Sequence, residues 1–265
     1  MDSSKPRIEI LGSPVISLNG QLIKINRREQ RAGLFYLAGH MEPVSREEIC
    51  DTFWPEESEE SARKKLREGL SRLRSAFNDP DLIISNNDFV SLDPDRVSID
   101  ARDYTNLVMP LLNSSELRAN GVLPEWMYAQ LRKAMELCRG HQLLQDVALH
   151  NSVGFETWVA LANQSFTYSR EKIVERLAEQ CIALGNIDEA IFWLGKITSH
   201  DFYNTDVNYL VLNCLRERRR FKDALDYIKF LEPLYQVNIP GGFPTIFEET
   251  RRRLLREENE GKKEV

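Results

Sequence analysis

The chain has 265 residues, 42% hydrophobic and 29% charged, with a formal net charge of −6. That content excludes a disordered chain and fits one large domain or two of ordinary size. The negative balance excludes polyanion binding over the whole surface, so any nucleic-acid contact must be a local patch. Residues 1–100 alone hold 14 Lys/Arg against 18 Asp/Glu, a net of −4.

The amino terminus, MDSSKPRIEI, carries no apolar targeting segment, and no run approaches membrane-spanning length. Cys50, Cys138, Cys181 and Cys214 are dispersed without a C-x-x-C pair. Three of them, Cys50, Cys181 and Cys214, fall on apolar positions of helical patterns, as expected of free thiols in a reducing compartment. The expected location is cytoplasmic, with no membrane partner.

In chain order, Arg7–Gly12, Pro14–Asn19 and Gln21–Ile25 read as short strands separated by Gly12-Ser13-Pro14 and Asn19-Gly20. Asn-Gly accepts the positive φ of a tight hairpin. Two capping boxes then announce helices. Asn26-Arg27-Arg28-Glu29 precedes Ala32, Leu34, Phe35, Leu37 and Ala38, and Ser45-Arg46-Glu47-Glu48 precedes Ile49, Phe53 and Trp54. Pro55 stops the second helix, and the acidic run 56–60 suits the amino terminus of a third.

That third helix, within Ser58–Phe77, sorts its charges. Leu66, Leu70, Leu73 and Phe77 share one face with Ala62, while Lys64, Glu68, Ser71 and Ser75 point the opposite way. Arg63, Arg67 and Arg74 line one flank, and Lys65 and Arg72 the other. From Ser61 to Phe77 six Lys/Arg face one acid, a net of +5. Taken alone, such a helix is also what a solvated surface looks like. Seated on a core by its leucines, it has the form of a major-groove reader, with flanks for phosphates and a ridge for base edges.

Leu82–Ser85, Asn86-Asn87-Asp88 and Phe89–Leu92 then read as strand, turn and strand. Small sheet, three helices and hairpin form the order of a winged helix, with Asn86 and Asn87 at the wing tip.

The segment resembles the OmpR/PhoB-type winged helix, and more closely the version in antibiotic-regulatory transcriptional activators, the SARP/AfsR-like group. The resemblance rests on Val44-Ser45-Arg46-Glu47, Phe53-Trp54-Pro55, Ser61-Ala62-Arg63-Lys64, Leu70-Ser71-Arg72-Leu73-Arg74 and Val97-Ser98-Ile99-Asp100-Ala101. Two residues depart from the pattern. Glu68, on the groove-facing ridge, would have to accept from a cytosine amino group. Gly69 is expected to serve close packing against the next helix.

Beyond residue 101 the helical period takes over. A helix candidate begins at Asp103-Tyr104, and a long helix runs from Glu125 to Cys138. A shift of 34 residues then superposes Leu177 on Val211, Cys181 on Leu215, Ala190 on Ala224, Leu194 on Ile228 and Ile197 on Leu231. Thirty-four residues is the tetratricopeptide period. Gly185-Asn186 and Arg219-Arg220 mark the turns. Trp126, Trp158 and Trp193 read as core or concave-surface residues. The region also resembles the bacterial transcriptional activator domain, through Cys138-Arg139-Gly140-His141, Phe155-Glu156-Thr157-Trp158-Val159 and Leu184-Gly185-Asn186-Ile187-Asp188-Glu189-Ala190.

No phosphate-binding, dinucleotide, zincin or nucleophile-elbow motif occurs, and His40, His141, His150 and His200 share no metal-ligand spacing. No enzyme activity, cofactor or metal is expected. The expected fold class is an α+β winged-helix domain over 1–100, an all-α tetratricopeptide-like helical-repeat domain over 101–258, and a charged tail at 259–265. Lys64, Arg67 and Ser71 are expected nearest base edges. Arg63, Lys65, Arg72 and Arg74 are expected on phosphates, with Asn86 and Asn87 on the adjacent backbone or minor groove. The resemblance implies promoter DNA, RNA polymerase and its sigma factor as partners. A protein partner or second protomer is expected on the helical surface, with a homodimer on DNA as one form. Two other readings stay open: an adaptor that docks proteins through both parts, and a regulatory subunit of an enzyme.

Overall fold

The computed structural model describes residues 5–118, 121–149 and 152–261, so His150 and the last residues of the tail, 262–265, lie outside the described residues. Two compact units interleave along the sequence: Met1–Asn113 with Arg132–Ser169, and Ser114–Leu131 with Arg170–Val265. No cut falls at residue 100.

In the first unit, β1 (Arg7–Glu9) is flanked by β2 (Val15–Leu18), which pairs in turn with β3 (Gln21–Leu22). The register of β1 on β2 is Arg7↔Ser17, Ile8↔Ile16 and Glu9↔Val15. Asn19 and Gly20 turn the second hairpin with φ of 52° and 76°, both in the left-handed region that an Asn-Gly pair tolerates. The fourth strand, β7 (Ser98–Ile99), lies parallel to β1 on its other side. Its two residues present no period to read.

α1 (Arg28–Gly39) starts at an N-cap, Arg27, whose side chain makes no capping bond, so the capping box expected at Asn26 does not form. The helix begins too late for Asn26 to reach its first-turn N–H groups. The second box does form: Ser45 Oγ accepts from the Glu48 N–H at 3.0 Å and opens α2 (Arg46–Phe53). Ser58 Oγ accepts from the Ser61 N–H at 3.3 Å and opens α3 (Glu59–Phe77). Asn78, at φ 51°, closes α3 by donating its N–H to the carbonyls of Arg74 and Ser75. Ala62, Leu66, Leu70, Leu73 and Phe77 are buried, as their spacing requires. A second sheet, in the order β4 (Val44–Ser45), β6 (Phe89–Leu92), β5 (Ile83–Ser85), completes a winged helix.

The rest of this unit comes from α4 (Asp100–Leu112), the end of α6 (Glu125–Leu137), the loop after it and the first half of α7 (Val153–Ala183). α4 starts three residues before the expected Asp103. Arg139, Leu144 and Gln145 donate backbone N–H bonds to Leu11, Ile10 and Gly12 at 2.9, 2.8 and 3.0 Å. Gly12, at φ 125°, lies against Gly140 so closely that a Cβ would stand 2.8 Å from the Gly140 nitrogen. Phe155, fully buried, packs on Phe53 with ring centroids 5.6 Å apart. Trp158 stacks on His40 and meets Tyr36 edge-on.

In the second unit, helices pair in series: the end of α7 with α8 (Ile187–Thr198), then α9 (Thr205–Glu217) with α10 (Phe221–Asn238), closed by α11 (Thr245–Gly261). All ten residues superposed by the 34-residue shift are buried. The backbone repeats with them. Asn186 N–H donates to Cys181 O at 2.7 Å, and Arg220 N–H to Leu215 O at 2.9 Å. Gly185 (φ 75°) and Arg219 (φ 54°) share a left-handed turn. Trp193 is core, whereas Trp126 is 59% exposed.

Candidate nucleic-acid interface

The expected cations of α3 lie on two different sides of that helix. On the side nearer α2 and the wing stand Arg63, Arg67 and Arg74. They are joined by Arg46 from the first turn of α2, which the sequence reading did not include. The guanidinium of Arg46 is shifted toward easier deprotonation, first by partial burial and further by repulsion from Arg63, Arg67 and Arg74. Four cations thus share one neighbourhood. Like charges held together by a fold repel one another, and of the four Arg63 already faces an anion, Glu59.

The wing is tied to this side through two of these arginines. Arg46 Nη1 donates to Asn86 O at 3.2 Å. Arg74 Nη2 donates to both Ile83 O and Ser85 Oγ at 2.8 Å. Arg74 is therefore partly committed to bracing α3 on β5, with less freedom to reach outward than its exposed neighbours. At the wing tip, Asn86 Oδ1 accepts from the N–H groups of Asp88 and Phe89, both at 2.8 Å. That Asx turn spends the Asn86 carbonyl on shaping the tip. Asn87 is exposed beside it.

Lys64, Arg67 and Ser71 are exposed, and neither the Lys64 nor the Arg67 side chain has a hydrogen bond or ion pair among the described residues. Arg63 is held by Glu59 at 2.9 Å. On the opposite side, Lys65 is bonded to Glu57, which favours its charged form, and Arg72 reaches Glu68 at 3.4 Å. These are exposed pairs, weak and easily exchanged for a phosphate.

Two expectations about α3 change. Glu68 lines the groove between α1 and α3 together with Lys65, Gly69 and Arg72, and pairs with Arg72 there. Gly69 is not a close-packing position, because a Cβ built there meets nothing within 4 Å.

An α+β winged helix with its own amino-terminal sheet, followed by a mostly helical region, defines the fold class. The same fold is found in EmbR of Mycobacterium tuberculosis, solved in complex with a low-affinity phosphopeptide, with a TM-score of 0.64 and 17% identity. The match covers 96% of this chain and 65% of EmbR, so the chain spans about two-thirds of that protein's length. No family model and no curated protein matches the sequence. Among the described residues, no helix is long and apolar enough to cross a membrane, and no three His, Cys, Asp or Glu side chains gather as a metal site.

Proposed function

We propose that the chain is a sequence-specific DNA-binding transcriptional regulator whose winged helix (1–100) reads a promoter and whose helical part (101–258) receives a protein partner. The observation that carries this is the arginine group, Arg46, Arg63, Arg67 and Arg74, gathered on one side of α3 and fastened to the wing in a chain of net negative charge. A concentrated cationic face on an otherwise acidic molecule fits a polyanion at one place only. The shared fold with EmbR, a regulator of the SARP type, supports the same class.

Within that reading, α3 enters the major groove. Lys64, Arg67 and Ser71 meet base edges, while Arg46, Arg63, Lys65 and Arg72 meet phosphates. Arg74 holds the wing, which brings Asn86 and Asn87 to the neighbouring backbone or minor groove. Activation through RNA polymerase and its sigma factor is the mode the SARP resemblance suggests, with cytoplasmic location and pairing of protomers on repeated sites. The helical part offers exposed aromatics for a partner: Phe230, 48% exposed, lies against Phe202 and Tyr227.

Selection of bound duplexes from random DNA tests the proposal directly. The wild type should recover a motif that a Lys64→Ala/Arg67→Ala variant loses. Arg67→Ala should cost about 1–3 kcal/mol and relax preference at one position, whereas Arg72→Ala should weaken all sequences alike. No enrichment at low salt by folded protein would move the winged helix to a protein-docking role.

A further inference from the structure

We propose that the groove between α1 and α3 is a binding site for a small planar aromatic carboxylate. The groove encloses about 210 Å³ over an apolar floor that includes Leu37, Phe53, Leu66 and Leu70. A cavity of about 150 Å³ already admits benzene, so a fused pair of rings is the fitting size.

Three locally unfavourable features converge on this one space. Gly33 in α1 and Gly69 in α3 both line it, and a Cβ at either would meet nothing within 4 Å. Glycine inside a helix is destabilising relative to alanine, and here neither a positive φ nor a close approach requires it. What the two absent side chains leave is room. Trp54 also lines the groove, and its indole N–H is buried with no acceptor among the described residues. A buried donor left unmade is destabilising too. Local rules broken together at one place are the mark of a site.

The rim decides the ligand's charge. Lys65 and Arg72 are paired with Glu57 and Glu68. The Arg27 side chain, on the same rim that Glu29 also lines, has no hydrogen bond or ion pair among the described residues. A carboxylate offers its oxygens to the Arg27 guanidinium, with its rings on the apolar floor beside Trp54. The site stands whether or not α3 reads DNA, because it is defined by the groove alone.

The test is a titration of the ¹⁵N-labelled full chain with 2-naphthoate, followed at the Trp54 indole N–H resonance. That resonance is assigned as the one missing from Trp54→Phe among the four tryptophans. A saturable shift below the low millimolar range is expected. Arg27→Ala should weaken it at least fivefold. Gly69→Leu, which fills the groove with a side chain that has space to enter, should abolish it while leaving the melting temperature no lower. Gly33→Leu serves as the second blocking variant should Gly69→Leu fold poorly. No saturable shift in the wild type, or one that survives in a folded blocking variant, would overturn the proposal.

Discussion

Ties between residues far apart in sequence hold the first unit together, whereas α7 to α10 of the second repeat their turns and buried positions every 34 residues. In the first, Asp100 accepts the N–H groups of Ile10 and Leu11, 90 and 89 positions away, at 2.7 and 2.9 Å. Ser152 donates to Thr52 O at 2.7 Å across 100 positions. In the second, the turn after α7 and the turn after α9 use the same bonds at equivalent places. A body built from distant ties has no spare copies of them, so damage to one tie should reach the whole unit. A repeat distributes its support between neighbours, and damage should stay nearer its source.

The largest expected effect lies in the first unit. Phe155→Ala removes a fully buried ring from between Phe53 and Trp158, and should cost about 3–5 kcal/mol. Denaturant unfolding gives the magnitude. Amide exchange should show faster opening in α2 as well as in α7. A change confined to α7 would break the contrast, since the tie would then be no tie.

Its counterpart in the second unit is Ala224→Trp. Ala224 is fully buried at the start of α10, where overpacking costs typically 1–3 kcal/mol. Exchange should rise in α9 and α10, and less in α8. Unchanged melting would mean that the 34-residue register is not the one the helices use.

Asp100→Asn comes next, at about 1–3 kcal/mol. One oxygen accepts from Ile10 and Ala101, the other from Leu11 with Arg139 at 3.8 Å. An amide must therefore turn its NH2 toward a backbone N–H. Burial pushes the Asp100 carboxyl up to about 6, against the pull of those N–H groups and of Arg139. An unfolded Asp titrates at about 4. Between roughly pH 4 and 6 the folded state keeps a proton that the unfolded chain has released. This group's contribution therefore makes stability fall as pH rises through the window and level off above it. The wild-type minus Asp100→Asn difference, measured at about pH 4.5 and 7, isolates that slope. A difference that grows with pH would reverse the sign.

Legibility follows the same division. The leucine face of α3, the Ser45 box, the wing turn and the repeat register are local or periodic, and were readable residue by residue. Of the candidate site, Arg63, Lys64, Arg67 and Ser71 are exposed on α3, as helical spacing expects. Arg46 escaped because its nearness to α3 arises only where α2 crosses it. The sequence could have offered it only as a cation in the first turn of a helix next to the reader. Glu68 was set on the ridge by a wheel that counts angles but cannot see the groove beside α1. The role of Gly69 was misjudged for the same reason. β7 and the partners of Asp100 are products of the tertiary fold, and no period announces them.

The smallest effect gives the sharpest comparison, because it sets one turn of the repeat against the other. Gly185 and Arg219 occupy the same left-handed position 34 residues apart. Glycine accepts that conformation freely, whereas a residue with a Cβ pays about 1–2 kcal/mol for it. The Arg219 side chain is exposed and has no hydrogen bond or ion pair among the described residues, so its removal forfeits nothing. Arg219→Gly should therefore stabilise the chain by about 0.5–1 kcal/mol, once the greater freedom of glycine in the unfolded state is subtracted. Gly185→Arg should destabilise by a similar amount, since a Cβ there meets nothing and only the backbone objects. Thermal melts of the two single variants and of the double swap decide it. A swap that returns to the wild-type midpoint would make the two turns interchangeable, as a repeat requires. A large residual would mean that Arg219 is held left-handed by something particular to its own turn.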